Sequence, residues 1–520
     1  MFDRQESNDN LLATILADES YIPSEPSSLA EMGLPLSLVE SLVCKRLMVV
    51  GMTTGRKLAE QVCIPFRILE EVYQKLRSHQ ILVHTGSAPF NDYTYTLTEH
   101  GRERATAAMK ACAYSGPAPV PLLDYVLSVE AQSIRAESPK RAQLRNAFRD
   151  ISIEESLFEG LGPAINSGAG LFLYGEPGNG KTTIAKRITT CFGQRVWVPH
   201  ALYEDGQIIK VFDAAYHEED SADANSIIKK SSYDPRWVKI KRPTVVVGGE
   251  LTLDNLEIRH DRSSKVSEAP IQLKSNCGCL LIDDFGRQKV DPTELLNRWI
   301  VPLENRIDYL TLATGKKIQV PFEQLIIFST NLEPSQLVDD AFLRRIPYKI
   351  EITDPRQDEF QHLFKMEAER KKCQFNAEAI KYLIDQHYIR AGRRFKRCHP
   401  RDMLDQIRNY CTYNEFPLEM KKEYFDRVAK SYFTDVMGNQ PPTATTTSVA
   451  SPVPKPAPVL SESNPTVARP IPNVEPNADD KIVPVPPSSA KPLPPAAPLP
   501  PMEEDDLSAT VMRPAQNVGK

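Results

Sequence analysis

Eight consecutive residues, Gly175-Glu-Pro-Gly-Asn-Gly-Lys-Thr182, set three glycines, a lysine and a hydroxyl at the spacing that closes around a phosphate chain. They fit G-x-x-x-x-G-K-[ST] without a gap. The glycines let backbone N–H groups turn inward, and the helix that follows adds positive partial charge at its N-terminus. Gly175, Glu176, Pro177, Gly178, Asn179, Gly180, Lys181, Thr182 and Thr183 are the expected nucleotide-binding residues. Lys181 would reach the β- and γ-phosphates of ATP, and Thr182 would ligate Mg²⁺. A second pattern, Cys279-Leu-Leu-Ile-Asp-Asp284, is an apolar strand ending in two acids. Asp283 is expected in the Mg²⁺ shell, and Asp284 is expected to orient and polarise the attacking water. A third, Leu325-Ile-Ile-Phe-Ser-Thr-Asn331, is a buried strand that would set the Asn331 amide beside the γ-phosphate.

Such groups need a scaffold. Leu171–Tyr174 reads as a buried strand before the glycine loop, and Thr182–Cys191 as the helix after it. From Leu171 to about Ile352 short apolar strands alternate with helices, and from Pro355 to Met437 the pattern is helical. The spacing predicts an α/β P-loop NTPase core with a parallel sheet over 146–352 and an α-helical lid over 353–437. Between Lys181 and Asp283 lie 101 residues, more than the core needs. The excess, which includes Trp237–Lys241 and Pro243–Thr252, predicts a β-rich insertion near 203–275. A further hairpin is expected from Leu310–Leu312 and Lys317–Val320.

Upstream, Val39, Leu42, Val43, Leu47 and Val50 repeat at helical spacing, and Gly51 closes that helix. A short helix over 55–62 and a third opened by Pro65 follow, the last with an inner face of Leu69, Val72, Tyr73 and Leu76. Ile81–Val83 and Tyr93–Leu97 read as a hairpin. The region 31–112 is therefore expected to be a winged-helix-like α+β domain, after an irregular segment over 1–30. The outward positions of its third helix are Arg67, Glu70, Glu71 and Gln74, two acids against one base. Across Glu31–Arg104 nine basic residues meet eight acidic ones. Phosphate backbones are bound through positive charge, so protein docking is favoured over DNA. Gly116–Pro121 predicts a stiff linker at the start of a linker-and-helix stretch, 113–145.

The chain of 520 residues carries 63 basic and 68 acidic side chains, a formal net charge of −5, which does not suit a whole-molecule nucleic-acid binder. Of its 43 prolines, 20 fall in 438–520, where Pro-Val, Pro-Ala and Pro-Leu units and Glu503–Asp506 predict a disordered arm. No apolar run is long enough to span a bilayer, so membrane insertion is not expected. The polar start does not read as a signal peptide. Nine scattered cysteines, with no C-x-x-C, read as core thiols in a reducing cytoplasm.

The three chemical motifs together resemble the AAA+ ATPases, over about 146–436. That resemblance identifies Asn331 as the sensor-1 position. It makes 339–345 the stretch that bears the arginine finger, Arg344 or Arg345, and Arg401 in His399-Pro-Arg-Asp402 the sensor-2 residue. The family fold is a five-stranded parallel core with a helical lid, usually assembled as a hexameric ring, which implies a homo-oligomer. One departure stands out: Asp284 occupies a position that is usually Glu in the family, though some branches carry Asp. The hairpin before the sensor-1 strand resembles the pre-sensor-1 hairpin of MoxR-like and McrB-like branches. The whole combination is similar to bacterial chaperone-like ATPases associated with Flp pilus assembly.

Two basic clusters have competing readings. Arg390, Arg393, Arg394, Lys396, Arg397 and Arg401 suit nucleotide sensing and subunit contacts. The six bases of Lys229–Arg242 suit a solvated loop. The alternative is a nucleic-acid or acidic-partner surface, for which Trp237 is the one good stacking candidate. The expected function is an ATP-driven machine that remodels an unknown protein client. A DNA-acting regulator or loader using the winged helix is the second reading. A nucleotide-dependent binding switch with little hydrolysis is the third.

Overall fold

In the computed structural model the described residues are 21–433, except 152, 194, 221–232 and 338–339. The Pro-rich arm, the first twenty residues, Asp339, and Lys229 and Lys230 of the second basic cluster lie outside them. No helix among the described residues is long and apolar enough to cross a membrane. All nine cysteines are free thiols.

The N-terminal region holds α1 (Leu36–Val50), β1 (Met52–Thr54), α2 (Gly55–Val62), α3 (Phe66–Ser78), β2 (Leu82–Ala88), β3 (Asp92–Leu97) and α4 (Glu99–Ala111). The three strands form one antiparallel sheet in the order β1-β3-β2. The expected helices and hairpin are present, and Leu69, Val72, Tyr73 and Leu76 are buried as the spacing requires. Side-chain caps fix two starts: Thr54 accepts from Lys57 N and Thr98 from Gly101 N. The third strand and α4 complete the unit beyond what the sequence spacing showed.

The expected linker is not a free spacer. Val120–Pro121 forms β4, which pairs in parallel with β7 (Ala201–Glu204), and Ala118 N donates to Val62 O. After β4 come α5 (Leu122–Ala131), α6 (Arg141–Ala147), α7 (Glu155–Ser167), β5 (Leu171–Tyr174) and α8 (Lys181–Ile188). The insertion begins with β6 (Arg195–Pro199) and continues through β7, β8 (Gln207–Lys210) and β9 (Trp237–Lys241). It resumes with β11 (Arg259–Asp261) and β12 (Val266–Glu268), on the far side of β10 (Thr244–Val247). β11, β12, β8, β7 and β4 make one mixed sheet, and β6 pairs with β9. Ala201 and Ile208 of this layer sit in the same apolar cluster as Val39, Leu69 and Leu97 of the N-terminal region.

The core sheet is made by β10, β13 (Cys279–Ile282), β16 (Leu325–Thr330), β5 and β17 (Tyr348–Glu351), in the order β10-β13-β16-β5-β17. Every pairing in it is parallel. Thr244–Val247 therefore belongs to the core and not to the insertion, correcting the expectation for Pro243–Thr252. The insertion consists of the two pieces that flank this strand. β13 and β16 are buried along their whole length, as strands covered on both faces must be. One face packs against α7 and α8 residues such as Leu161 and Ile184. The other packs against α9 (Pro292–Asn305), where Trp299 is fully buried. The hairpin β14 (Ile307–Thr311) and β15 (Lys317–Pro321) joins α9 to β16.

The lid is α10 (Gln357–Lys371), α11 (Ala377–Leu383), α12 (His399–Tyr413) and α13 (Lys422–Tyr432). Phe360, Phe364, Leu404, Ile407 and Phe425 form its own core.

Among the described bases of the second cluster, Lys241 is exposed as a solvated loop requires, but Arg236 and Arg242 are buried. Arg236 is 3 % exposed; it pairs with Asp234 and donates to Met32 O and Pro119 O. Buried Arg242 donates to Gly193 O and pairs with Glu137. Trp237 is buried too, stacked edge-on by Tyr21, and presents no face to a base. Arg236 thus fastens the insertion to the N-terminal segments, and Arg242 fastens it to the stretch that precedes the core.

Candidate functional site

Parallel strands bring their C-terminal ends to one edge of the sheet, and a cleft opens where the strand order reverses. Here that point is β5, flanked by β16 and β17. The glycine loop leaves β5, Asp283 and Asp284 leave β13, and Asn331 leaves β16. Three sequence-distant motifs are thus set side by side by strand order alone.

The loop is held open by backbone that only glycine adopts at ease. Gly175 has φ +126°, and a Cβ there would lie 2.6 Å from Ile352 O. Gly178 has φ +84°, and a Cβ there would meet Cys398 Sγ at 2.8 Å. Gly180 caps α8, whose first turn carries Lys181 and Thr182. Lys181 Nζ donates to Gly175 O at 2.8 Å, Glu176 O at 3.1 Å and Asn331 Oδ1 at 2.7 Å. Burial lowers the pKa of this ammonium, with Asp284 and Asp283 opposing. Thr182 Oγ1 donates to Asp283 Oδ2 at 2.8 Å. A hydroxyl and a carboxylate side by side are the hard oxygen donors Mg²⁺ selects, so the residues fit that ion.

The acid pair is pinned on both sides. Asp283 N donates to Val247 O at 2.8 Å, and Phe285 N to Ser329 O at 2.7 Å. Phe285 is anchored in turn by Phe172 and Phe328, with ring centroids 6.0 and 4.9 Å away. Between these anchors Asp284 takes φ +51°, in the left-handed region. Asp enters that region several-fold more readily than most side chains. The backbone thus supplies a physical reason for Asp at this position, where the ATPases that the motifs resemble usually have Glu. Asn331 Nδ2 reaches Asp284 Oδ1 at 3.4 Å, so the amide touches both the ammonium and the second acid.

The cleft holds about 530 Å³. Its lining includes Pro177 to Thr183, Asp283, Asp284, Asn331 and Arg401. Arg401, exposed in the first turn of α12, pairs with Asp402 at 2.8 Å. Arg344 and Arg345 lie outside the cleft. Arg344 is exposed, and Arg345 Nε pairs with Glu304 Oε1 at 2.6 Å. Sequence spacing did not show the apolar wall, where Ile151, Ile153 and Leu157 face Leu363 and Met366 of the lid. Nor did it show Asp354, which binds Asn179 and Lys396. No local signal marks these positions, because each gains its role only when lid and core meet.

His399 starts α12 beside this cleft. Its Nδ1 lies 2.9 Å from the Tyr388 hydroxyl, and burial pushes its pKa down from 6.5 to about 4. Burial raises the Tyr388 pKa, so the phenol keeps its proton beside the neutral ring. The unfolded chain takes up a proton on this side chain near pH 6.5, the folded chain only near 4. The contribution of His399 to stability is therefore whole above about 6.5, falls as pH drops through that window and levels off below 4. Urea unfolding from pH 7 to 4 should show a shallower loss for His399→Gln than for the parent. Equal slopes would place the protonation elsewhere, His200 and His217 being next in line.

A family model described as a domain of unknown function, DUF8689, matches residues 356–431 and so falls on the four lid helices. No curated protein matches the chain. Among solved structures, NtrX from Brucella abortus is 13 % identical at a TM-score of 0.34, the match covering 54 % of this chain and 55 % of that one. The chain thus spans about half the length of that structure. NtrX in complex with ADP is 15 % identical at 0.31, covering 63 % and 65 %. The RuvB Holliday junction branch migration motor of Thermotoga maritima is 13 % identical at 0.32, covering 56 % and 73 %. Strand order, loop geometry and lid define the class by themselves: an α/β P-loop fold carrying a helical lid.

Proposed function

We propose that this protein is an AAA+ ATPase that couples ATP binding and hydrolysis to remodelling of a protein client. The supporting observation is the convergence of Lys181, the Thr182–Asp283 pair and the Asn331–Asp284 pair at the ends of three adjacent strands, beneath the lid. The triphosphate lies along the glycine loop, its terminal groups drawn by Lys181 and by the N-terminus of α8. Thr182 and Asp283 would hold Mg²⁺, which offsets charge on the β- and γ-oxygens. Asp284 accepts from the attacking water, and Asn331 fixes its carboxylate. The base rests on the apolar wall of Ile151, Ile153 and Leu363. Arg344, exposed and outside its own cleft, serves as the finger that completes a neighbour's site in a ring; Arg345 is held by Glu304.

The N-terminal unit reads as a winged helix that docks protein. Arg67, Glu70, Glu71 and Gln74 of α3 are exposed, and Arg67 donates to Pro26 O. That face offers DNA no excess of positive charge.

Asp284→Asn tests the chemistry. The amide keeps the shape and loses the charge, so ATP should still bind while turnover falls at least about tenfold. The same variant, loaded with ATP, should retain client protein in a pull-down. Turnover equal to the parent would reject Asp284 as the base. The other nearby acids are already committed, Asp291 to capping α9 and Glu250 to the Gly248 N–H.

A further inference from the structure

Asn179 occupies an interior position of the glycine loop, yet it is 0 % exposed. Both ends of its amide are used, and neither is turned to a phosphate. Nδ2 donates to Asp354 Oδ1 at 2.7 Å, and Oδ1 accepts from Arg397 N at 3.4 Å. Asp354 lies where the chain crosses from β17 into the lid helix α10. Its Oδ1 also accepts from Lys396 Nζ at 2.7 Å, and Lys396 reaches Glu176 Oε2 at 3.5 Å. Cys398 N donates to Gly178 O at 2.9 Å. Three successive lid residues, 396–398, thus grip three loop residues, 176, 178 and 179, with the crossing residue between them.

We propose that Asn179, Asp354 and Lys396 form a latch that sets the lid against the glycine loop and transmits the loop's occupancy to the lid. These are positioning residues, not phosphate ligands. The proposal rests on the nucleotide reading of the cleft for its second half only. The physical link is short: Lys181 holds Gly175 O and Glu176 O in the structure described. A triphosphate that draws the ammonium away frees those carbonyls, and the loop backbone that shifts carries the Asn179 amide and the Gly178 carbonyl. The lid residues bonded to both then move or lose their bonds. Arg401 sits five residues beyond Lys396, so the same movement re-aims the cation on the cleft's lid side.

The test is a charge exchange across the latch. Asn179→Asp sets two carboxylates together at a distance where an amide donated, and should open it. Adding Asp354→Asn restores a donor facing an acceptor with the roles reversed. Hydrogen exchange at the Arg397 and Cys398 amides is read without nucleotide, and ADP affinity is read by titration. For Asn179→Asp, exchange should speed up about tenfold or more, the scale set by losing a hydrogen bond to a charged group. ADP affinity should fall by a similar factor. Asn179→Asp/Asp354→Asn should return both to within about threefold of the parent. A packing role alone would leave the double variant as impaired as the single one, or worse. Lys396→Met, which removes only the ammonium, carries the same exchange measurement should Asn179→Asp not fold. Parental exchange at both amides in the folded single variant, or no recovery in the double, overturns the latch. If the parent itself binds no ADP, the nucleotide reading fails while the exchange data still decide the latch.

Discussion

Replacing Lys181 by alanine should cost nucleotide affinity roughly 100-fold, which corresponds to about 3 kcal/mol for losing charge-assisted bonds to phosphate. In the structure the ammonium is held at 2.7–3.1 Å by three oxygens and kept from water. It is already desolvated, so a phosphate that replaces the two loop carbonyls takes up the charge with little further desolvation. The fold should survive, because the side chain faces the cleft and the α8 contacts to the sheet come from Ile184, Ala185 and Ile188. Titration with labelled ADP and ATP measures the loss, and circular dichroism checks the fold. Parental affinity in a folded Lys181→Ala protein would sink the assignment of this cleft to a nucleotide.

The second large effect is expected from the arginines. A finger acting in trans can be worth about 10³-fold in turnover, because it meets charge as it develops on the transferred group. Arg344→Ala/Arg345→Ala should therefore hydrolyse ATP some three orders of magnitude more slowly while binding it normally. Mixing this variant with Lys181→Ala should recover part of the activity, since some interfaces then join an intact cleft to an intact finger. Recovery that grows with protein concentration marks a shared site. Full activity of the double arginine variant alone would dismiss the finger. Arg344→Ala alone should carry most of the loss, as Arg345 is bound to Glu304.

Much of the site was legible in sequence for a local reason. The glycine loop, the acid pair and the strand ending in Asn331 are each contiguous, and each joins a short apolar strand to a polar end. The strand Thr244–Val247 was legible as β-forming but was assigned to the insertion, because it lies among other β-forming runs. Four residues of Val and Thr look alike whether they pair with β13 or with an inserted neighbour. Asp354 was invisible for a different reason. An acid before a proline reads as a loop, and its partners lie 175 and 42 residues away in the chain. Charge counting misjudged Arg236 and Arg242, because composition does not reveal that each guanidinium faces backbone carbonyls inside the molecule. Asp284 was legible as a departure from the AAA+ pattern that the motifs resemble, and its reason appears only in the backbone, at φ +51°.

The apolar cluster that unites Val39, Leu69 and Leu97 with Ala201 and Ile208 also bears on the order in which a ribosome delivers the chain. The first 112 residues emerge with their helices and hairpin, but part of their inner surface waits for residues 201–210. At typical synthesis rates that gap of roughly 90 residues lasts on the order of 5–20 s. The closing contacts are then made across long loops, which slows them further. Arg236 arrives later still, to take up the carbonyls of Met32 and Pro119. The N-terminal unit is therefore made well before the residues that finish it, and the nascent chain carries its unfinished face while the glycine loop emerges.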